Sequence, residues 1–238
     1  MFNIDVQELL KRGAYFGHKL SRTNPKVLPY VHKPQSGIYI IDLFKTKVSL
    51  ENALNTLFHA GKSNERLLVV ATKKIIKQFV ADFCRERKIP FITEKWIGGF
   101  FTNFEEIYKN IKRANDYTRE KQTGMWDTMI KHERNKLDKE LSKILKVYGG
   151  VIGIDKLPEI VIILDVKKEH NALVESIKIK DRQLMEGRKA LQITGVVDTN
   201  ADPTLLDCPV VANDDSVATL EYIVTLMIHA YEDGKKEY

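Results

Sequence analysis

The sequence predicts an α/β protein: a three-layer, parallel-sheet domain of the Rossmann or flavodoxin-like kind, with an antiparallel helical hairpin inserted as a coiled-coil arm. Three observations carry this. Short β-branched or aromatic runs at residues 38–41, 67–71, 91–93, 160–164 and 193–197 are bounded by turn or charged residues, and apolar residues recur between them at helical spacing. Such alternation builds a parallel sheet with helices on its faces. Residues 104–147 break the pattern, holding two helical seams and no strand-like run. Lastly, 238 residues can bury a full core, so the two cysteines, far apart and in no CxxC pair, need supply neither a disulfide nor a structural zinc. The expected division is an α/β domain from residues 1–103 and 148–238, with a basic N-terminal extension, and a hairpin insertion at 104–147.

Asp5 and Glu8 have the spacing of a capping box, and Val6, Leu9 and Leu10 put an apolar stripe on a short first helix. Regular patterning then stops. Residues 13–37 are rich in Gly, Pro, Asn and basic side chains, and Pro25, Pro29 and Pro34 bias them to extended and turn conformations. A loop of this length is uncommon unless functional. The run 38–41 reads as the first strand of the parallel sheet, followed by a helix with Val48, Ala53, Leu54, Leu57 and Phe58 on one face. After the strand at 67–71, Lys73 and Lys74 open a helix carrying Ile75, Ile76, Phe79, Val80 and Phe83. The strands at 160–164 and 193–197, a short one at Val210 and Val211, and a last helix with Val217, Leu220, Ile223, Val224, Met227 and Ile228 complete the set.

Between the strand at 91–93 and the hairpin lies Lys95-Trp96-Ile97-Gly98-Gly99-Phe100-Phe101-Thr102-Asn103-Phe104, four aromatic rings around a Gly-Gly pair. This loop either stacks its rings on an outside surface or braces the joint between sheet and arm; its position at the root of the arm favours bracing for Trp96 and Phe100. Phe104, Ile107, Ile111 and Ala114 form one seam of the hairpin, and Leu137, Leu141, Ile144, Leu145 and Tyr148 the other, with Gln122-Thr123-Gly124 as the turn. Thr102 with Glu105, or Asn103 with Glu106, caps the first helix, and Glu105 with Lys109 and Asp127 with Lys131 pair at i,i+4. Narrow seams and charged flanks point to an arm that projects.

The net charge of +6 is unevenly spread: residues 1–147 carry 28 basic and 16 acidic side chains, residues 148–238 carry 10 and 16. That division suits a polyanion on one side only. The opening Met1-Phe2-Asn3-Ile4-Asp5 lacks a basic, apolar leader, and no run approaches the ~20 apolar residues of a membrane span, so the expectation is a soluble, untargeted, cytoplasmic chain.

Asp165, Asp198, Asp202, Asp207, Asp214 and Asp215 fall at strand ends and in the loops beyond, where open α/β sheets bind ligands, so a magnesium-dependent phosphoryl-transfer enzyme is the rival reading. It lacks parts: no GxGxxG follows the first strand, no GxxxxGK[ST] occurs, and Gly149-Gly150-Val151-Ile152-Gly153 precedes a strand instead of following one. No serine sits in a GxSxG elbow. His18 and His170 can approach Asp198 or Asp202 around a cation, but capping and turn roles suit them better, and Asp198-Thr199-Asn200-Ala201-Asp202-Pro203 reads as a hydrogen-bonded loop. No catalytic residue, metal or cofactor is assigned.

The basic, aromatic first part fits RNA. Lys19, Arg22, Lys26, Lys33, Lys73, Lys74 and Lys95 can meet phosphates, as can Lys109, Lys112 and Arg113 on the first helix of the arm. Asn24, Thr102 and Asn103 can bond bases or riboses, and Trp96, Phe100, Tyr30 or Tyr39 offer stacking faces.

In this order the residues resemble the bacterial-type small-subunit ribosomal protein S-two family over nearly the whole chain. The resemblance runs through Gly13-Ala14-Tyr15-Phe16-Gly17-His18, Arg22-Thr23-Asn24-Pro25-Lys26, Gly37-Ile38-Tyr39-Ile40-Ile41-Asp42-Leu43 and Ala71-Thr72-Lys73-Lys74, then residues 96–104. It continues through Leu157-Pro158-Glu159, Asp165-Val166-Lys167-Lys168-Glu169-His170, residues 197–203 and Ala212-Asn213-Asp214-Asp215-Ser216. It implies a non-enzymatic part of the small ribosomal subunit that touches 16S-type ribosomal RNA and neighbouring ribosomal proteins, including the large messenger-binding first protein. No membrane or small-molecule substrate is implied; a cytoplasm or an organelle with bacterial-type ribosomes fits equally. Departures are Tyr15 for His, Thr23 for an aromatic, Val27 for Met, Phe100-Phe101 for Met-Leu, and a longer charged helix between Ser176 and Ile193 that reads as an insertion.

Overall fold

In the computed structural model, which describes residues 2–237, a short helix α1 (Val6–Lys11) leads into an antiparallel two-stranded ribbon of β1 (Phe16–Lys19) and β2 (Ile38–Ile40). Asp5 caps α1 by accepting from the Gln7 N–H, while Glu8 turns to Lys11 and Arg12, so the capping box is only half made. The run at 38–41 is therefore not a strand of the parallel sheet. Its three strand residues are all half-buried, with Tyr39 between two isoleucines, whereas the parallel strands bury both faces. The proline-rich segment between β1 and β2 winds into two 3₁₀ turns, Leu20–Arg22 and Pro25–Tyr30, more helical than its prolines suggest.

After α2 (Leu43–Lys62) come β3 (Leu67–Val70), α3 (Lys77–Glu86) and β4 (Phe91–Ile92), then the hairpin helices α4 (Phe104–Gln122) and α5 (Lys131–Tyr148). The remainder is β5 (Ile160–Leu164), α6 (His170–Met185), β6 (Gln192–Val197), β7 (Cys208–Val211) and α7 (Val217–Lys236). The five strands from β3 onward form one parallel sheet in the order β4-β3-β5-β6-β7. Register places Leu67 beside Ile160 and Ile160 beside Gln192.

Period-two alternation splits the core into two layers. Leu67, Val69, Ile160, Ile162 and Leu164 face α1, α2, α3 and α7; Leu68, Val70, Val161 and Ile163 face α6, the aromatic loop and the root of the hairpin. Each fully buried aliphatic side chain contributes roughly 1.5–3 kcal/mol. Helices α2 and α7 touch backbone to backbone through a reciprocal glycine pair: a Cβ on Gly61 would lie 2.1 Å from the Tyr231 carbonyl, and one on Gly234 2.0 Å from that of Phe58. Val48, placed on the buried stripe by its spacing, faces outward, because α2 begins at Leu43 and that register turns it from the core.

The hairpin turns where its sequence suggests, Gly124 taking φ 75° before a short 3₁₀ turn, Met125–Thr128. Its ends differ from expectation. Asn103 sits at the N-cap of α4 without a side-chain cap bond, and Lys109 pairs with Glu106, one residue nearer than Glu105. Asp127 reaches Arg134 at 3.0 Å and not Lys131, since α5 starts only at Lys131. Trp126 is buried edge-on against Tyr117 and donates to Glu120. Helix α6 ends at Met185, and Gly187 (φ 66°) turns the chain out of it, so the charged stretch before β6 is not one long helix.

Candidate nucleic-acid interface

The carboxyl ends of β3, β5, β6 and β7 bring together Lys73, Asp165, Asp198, Asp214 and Asp215. Lys73 stands three residues past the end of β3, and the helix it was expected to open begins four residues later, at Lys77. Its ammonium lies 3.0 Å from Asp165, 2.8 Å from Asp214 and 2.8 Å from Asp215. Burial works against the lysine's charge, but the bonds to Asp214 and Asp215 outweigh it and raise its pKa. Asp214 is pushed up to about 7, first by burial and then by the charges of Asp165 and Asp198. Asp165 holds φ 118°, a conformation rarely taken by a residue with a side chain, and accepts from the Lys168 N–H at 2.9 Å.

Two of the six carboxylates expected here lie elsewhere. Asp207 precedes β7, at the other edge of the sheet, where it accepts from the Ile193 N–H and pairs with Lys180. Asp202 is taken by Lys26 at 2.7 Å and caps the next turn through the Thr204 N–H. His170 opens α6, while His18 does approach Asp198 (3.1 Å) and Asp215 (3.6 Å). Ligand atoms of His18, Asp198 and Asp214 lie within 4.8 Å of one another, so these three are the group able to hold a metal ion among the described residues.

The crevice is covered by the chain's own N-terminal segment. The His18 N–H donates to Thr199 Oγ1 at 2.7 Å, the Asn24 N–H to the Thr199 carbonyl at 2.8 Å, and the Asn213 N–H to the Ala14 carbonyl at 3.0 Å. Gly17 permits the approach: a Cβ there would stand 2.6 Å from Thr199 Cγ2. Val27 packs with Ile41 and Val211 beneath the segment. Lys19 and Arg22 stand exposed at the mouth of this crevice, lining it with His18, Asp198, Asn213 and Asp215, and Lys33 is exposed on the same segment.

Lys19, Arg22, Lys33, Lys74, Lys95 and Lys112 are exposed and have no carboxylate within ion-pair distance among the described residues. Lys26, Lys109 and Arg113 are exposed but paired, with Asp202, Glu106 and Glu140. Lys73 is turned inward, so its charge is not presented outside. Asn24 uses its side chain to cap the second 3₁₀ turn through the Lys26 N–H. Thr102 and Asn103 are exposed at the hairpin root.

The aromatic loop is a braced joint. Phe100 and Phe101 are buried, Trp96 is half-buried against both rings, and Phe104 meets Phe100 edge-on. The clamp is a residue that pattern reading passes over: Glu175 accepts from Trp96 Nε1 at 3.0 Å, the Gly99 N–H at 2.9 Å and the Phe101 N–H at 3.3 Å. One signal for it existed. Glu175 stands beside the inward residues Ala172 and Ser176 of α6, where a carboxylate needs donors.

The fold and site thus define an α/β protein whose strand-end carboxylates are engaged by its own lysine and overlaid by its N-terminal segment, with exposed basic side chains, unpaired among the described residues, around them. The chain matches the family model described as ribosomal protein S2 over residues 9–234 and belongs to that family. It is 36% identical over 234 residues to the small ribosomal subunit protein uS2 of Chloroherpeton thalassium, covering 98% of this chain and 90% of that protein. The uS2 proteins of Cytophaga hutchinsonii (34%; 98% and 88% covered) and Karelsulcia muelleri (36%; 97% and 98% covered) are similar. The chain is accordingly a structural constituent of the small ribosomal subunit and not an enzyme. No helix among the described residues is long and apolar enough to cross a membrane.

Proposed function

We propose that the chain binds 16S-type ribosomal RNA through its N-terminal segment and the neighbouring strand-end loops. The observation that carries this is the pinning of Gly17, His18 and Asn24 to Thr199, which holds Lys19, Arg22 and Lys33 in exposed positions with no carboxylate within ion-pair distance among the described residues. Topology sets Lys74 and Lys95 beyond the same carboxyl ends of β3 and β4. These cations meet phosphates and fix position, so they supply affinity without sequence readout. Trp96 and Phe100 support the joint, and Thr102 and Asn103 stand beside it to bond the RNA.

The hairpin at 104–147 is an inserted arm that anchors the protein in the subunit, with Lys112 adding a free charge. The resemblance also supports neighbouring ribosomal proteins as partners, including the large messenger-binding first protein where present. Binding to ribosomal RNA across a salt series tests the main reading. Neutralising about six phosphates predicts a loss on the order of a thousandfold between 50 and 200 mM salt; a flat response would overturn it.

A further inference from the structure

We propose that the cleft at the amino-terminal edge of the sheet, opposite the covered crevice, is a second RNA site that takes one unstacked nucleotide, its phosphates held by Lys88, Lys156 and Lys235. This rests on the RNA-binding reading above. The cleft encloses about 440 Å³, over a floor of Leu67, Ile89, Pro90, Ile154 and Pro158. That volume falls among small-molecule sites, which run to roughly 300–1,000 Å³. Arg66, Arg87, Lys88, Lys156, Lys235 and Lys236 surround it, against only Asp155 and Glu232.

Half of these cations already have partners. Arg66 is bonded to Glu159, Arg87 lies near Glu86 and Glu232 with its guanidinium 3.7 Å from the Phe83 ring centroid, and Lys236 pairs with Asp233. Lys88, Lys156 and Lys235 are exposed and have no carboxylate within ion-pair distance among the described residues. They arrive from three separate places: the turn between α3 and β4, the loop before β5, and the last turn of α7. Lys88 is held in a left-handed turn (φ 54°). Three ammonium groups without a carboxylate partner among the described residues, Lys235 resting over the Tyr231 ring at 5.4 Å, stand around an apolar floor and match a ligand with an apolar face and an anionic backbone, which describes a nucleotide in a single strand.

An acidic peptide fits less well: the arginines that take acidic motifs, Arg66 and Arg87, are already paired, and an extended peptide would need a free strand edge to add to. The outer strand β4 has none there: Gly150 crosses it so closely that a Cβ would stand 2.2 Å from the Phe91 carbonyl. Strand β5 has five residues and spans about 16 Å at ~3.3 Å per residue, so the protein would bridge two RNA segments at least that far apart.

Titrating the isotope-labelled full chain at low salt with a single-stranded ribopentanucleotide, and separately with AMP, tests this. Amide signals of Lys88, Ile89, Gly153 and Ile154 are expected to move with the pentanucleotide and to stay still in the Lys88→Glu, Lys156→Glu, Lys235→Glu variant. All three positions are exposed, so the variant should retain the parent's dispersed spectrum. Its affinity for ribosomal RNA should fall about twentyfold less than the parent's between 50 and 200 mM salt, from about 0.7 of slope per single-strand phosphate. Equal shifts with AMP at the same concentration would overturn RNA as the source of the nucleotide. Shifts produced by a polyglutamate peptide and not by the oligonucleotide would overturn the nucleotide itself. A silent cleft with moving Arg22 and Asn24 signals would overturn this site alone, and silence at both edges would overturn the function proposed above as well.

Discussion

Lys73 Nζ lies 2.8 Å from Asp214 Oδ1, at the edge of the sheet where an open α/β fold ordinarily receives its ligand. The protein's own ammonium thus fills the centre of a carboxylate cluster. Lys73→Met should leave the buried Asp165 and Asp214 facing each other without the lysine's charge and cost about 3–5 kcal/mol at pH 7. Urea unfolding measures this; parent-like stability would show that the cluster does not depend on the lysine.

Glu175 holds the aromatic joint by three donors, so Glu175→Ala should destabilise the chain by about 3 kcal/mol or more, and Glu175→Gln, which keeps an acceptor, by less. Trp96→Ala should cost about 3–5 kcal/mol. The folded fraction of each should bind ribosomal RNA with nearly the parent's affinity. A loss of affinity in Trp96→Ala with unchanged stability would return the ring to the role of a stacking face.

Burial pushes the Cys84 thiol up to about 12 from an ordinary 9.0. The folded state therefore keeps a proton that the unfolded chain releases. Below pH 9 the ionisation of this group makes no difference to stability; from pH 9 toward 12 its contribution should fall by about 1.4 kcal/mol per pH unit. Urea unfolding of the parent and Cys84→Ala at pH 8 and pH 10 checks the sign: the gap between them should narrow at pH 10. A gap that stays constant contradicts the assignment.

The sheet was legible because β3 and β5 are buried on both faces and leave unbroken β-branched runs, and the hairpin because its two seams keep helical spacing around Gly124. The run at 38–41 looked equally strand-like, but sequence does not tell which sheet a strand joins, and the half-buried Tyr39 was the only local warning. Charge misled in a consistent way. Lys73 reads as a phosphate contact and Glu175 draws no assignment, since what they bond comes from loops 74 to 142 residues away. Asp207 was misplaced for a related reason: it precedes its strand by one residue, and the two ends of a short strand look alike in sequence.

The hairpin root is part of the core, with Ile107 and Ile111 buried beside Phe100 and Phe101. Removing the whole insertion would therefore uncover the joint. Replacing residues 115–140 by a Gly-rich turn should instead keep the sheet domain folded and weaken incorporation into small subunits, measured by competition with the parent during reconstitution. Equal incorporation would show that the distal arm does not anchor the protein.

The most direct measurement is the affinity of the Arg22→Glu, Lys33→Glu double variant for 16S-type ribosomal RNA across a salt series. Both side chains are exposed and without carboxylate partners among the described residues, so thermal stability should not change. Losing two phosphate contacts should lower the slope of log affinity against log salt by about 1.8, making the fall between 50 and 200 mM about tenfold smaller than the parent's. An unchanged slope and affinity would contradict the claim that the N-terminal segment faces the RNA.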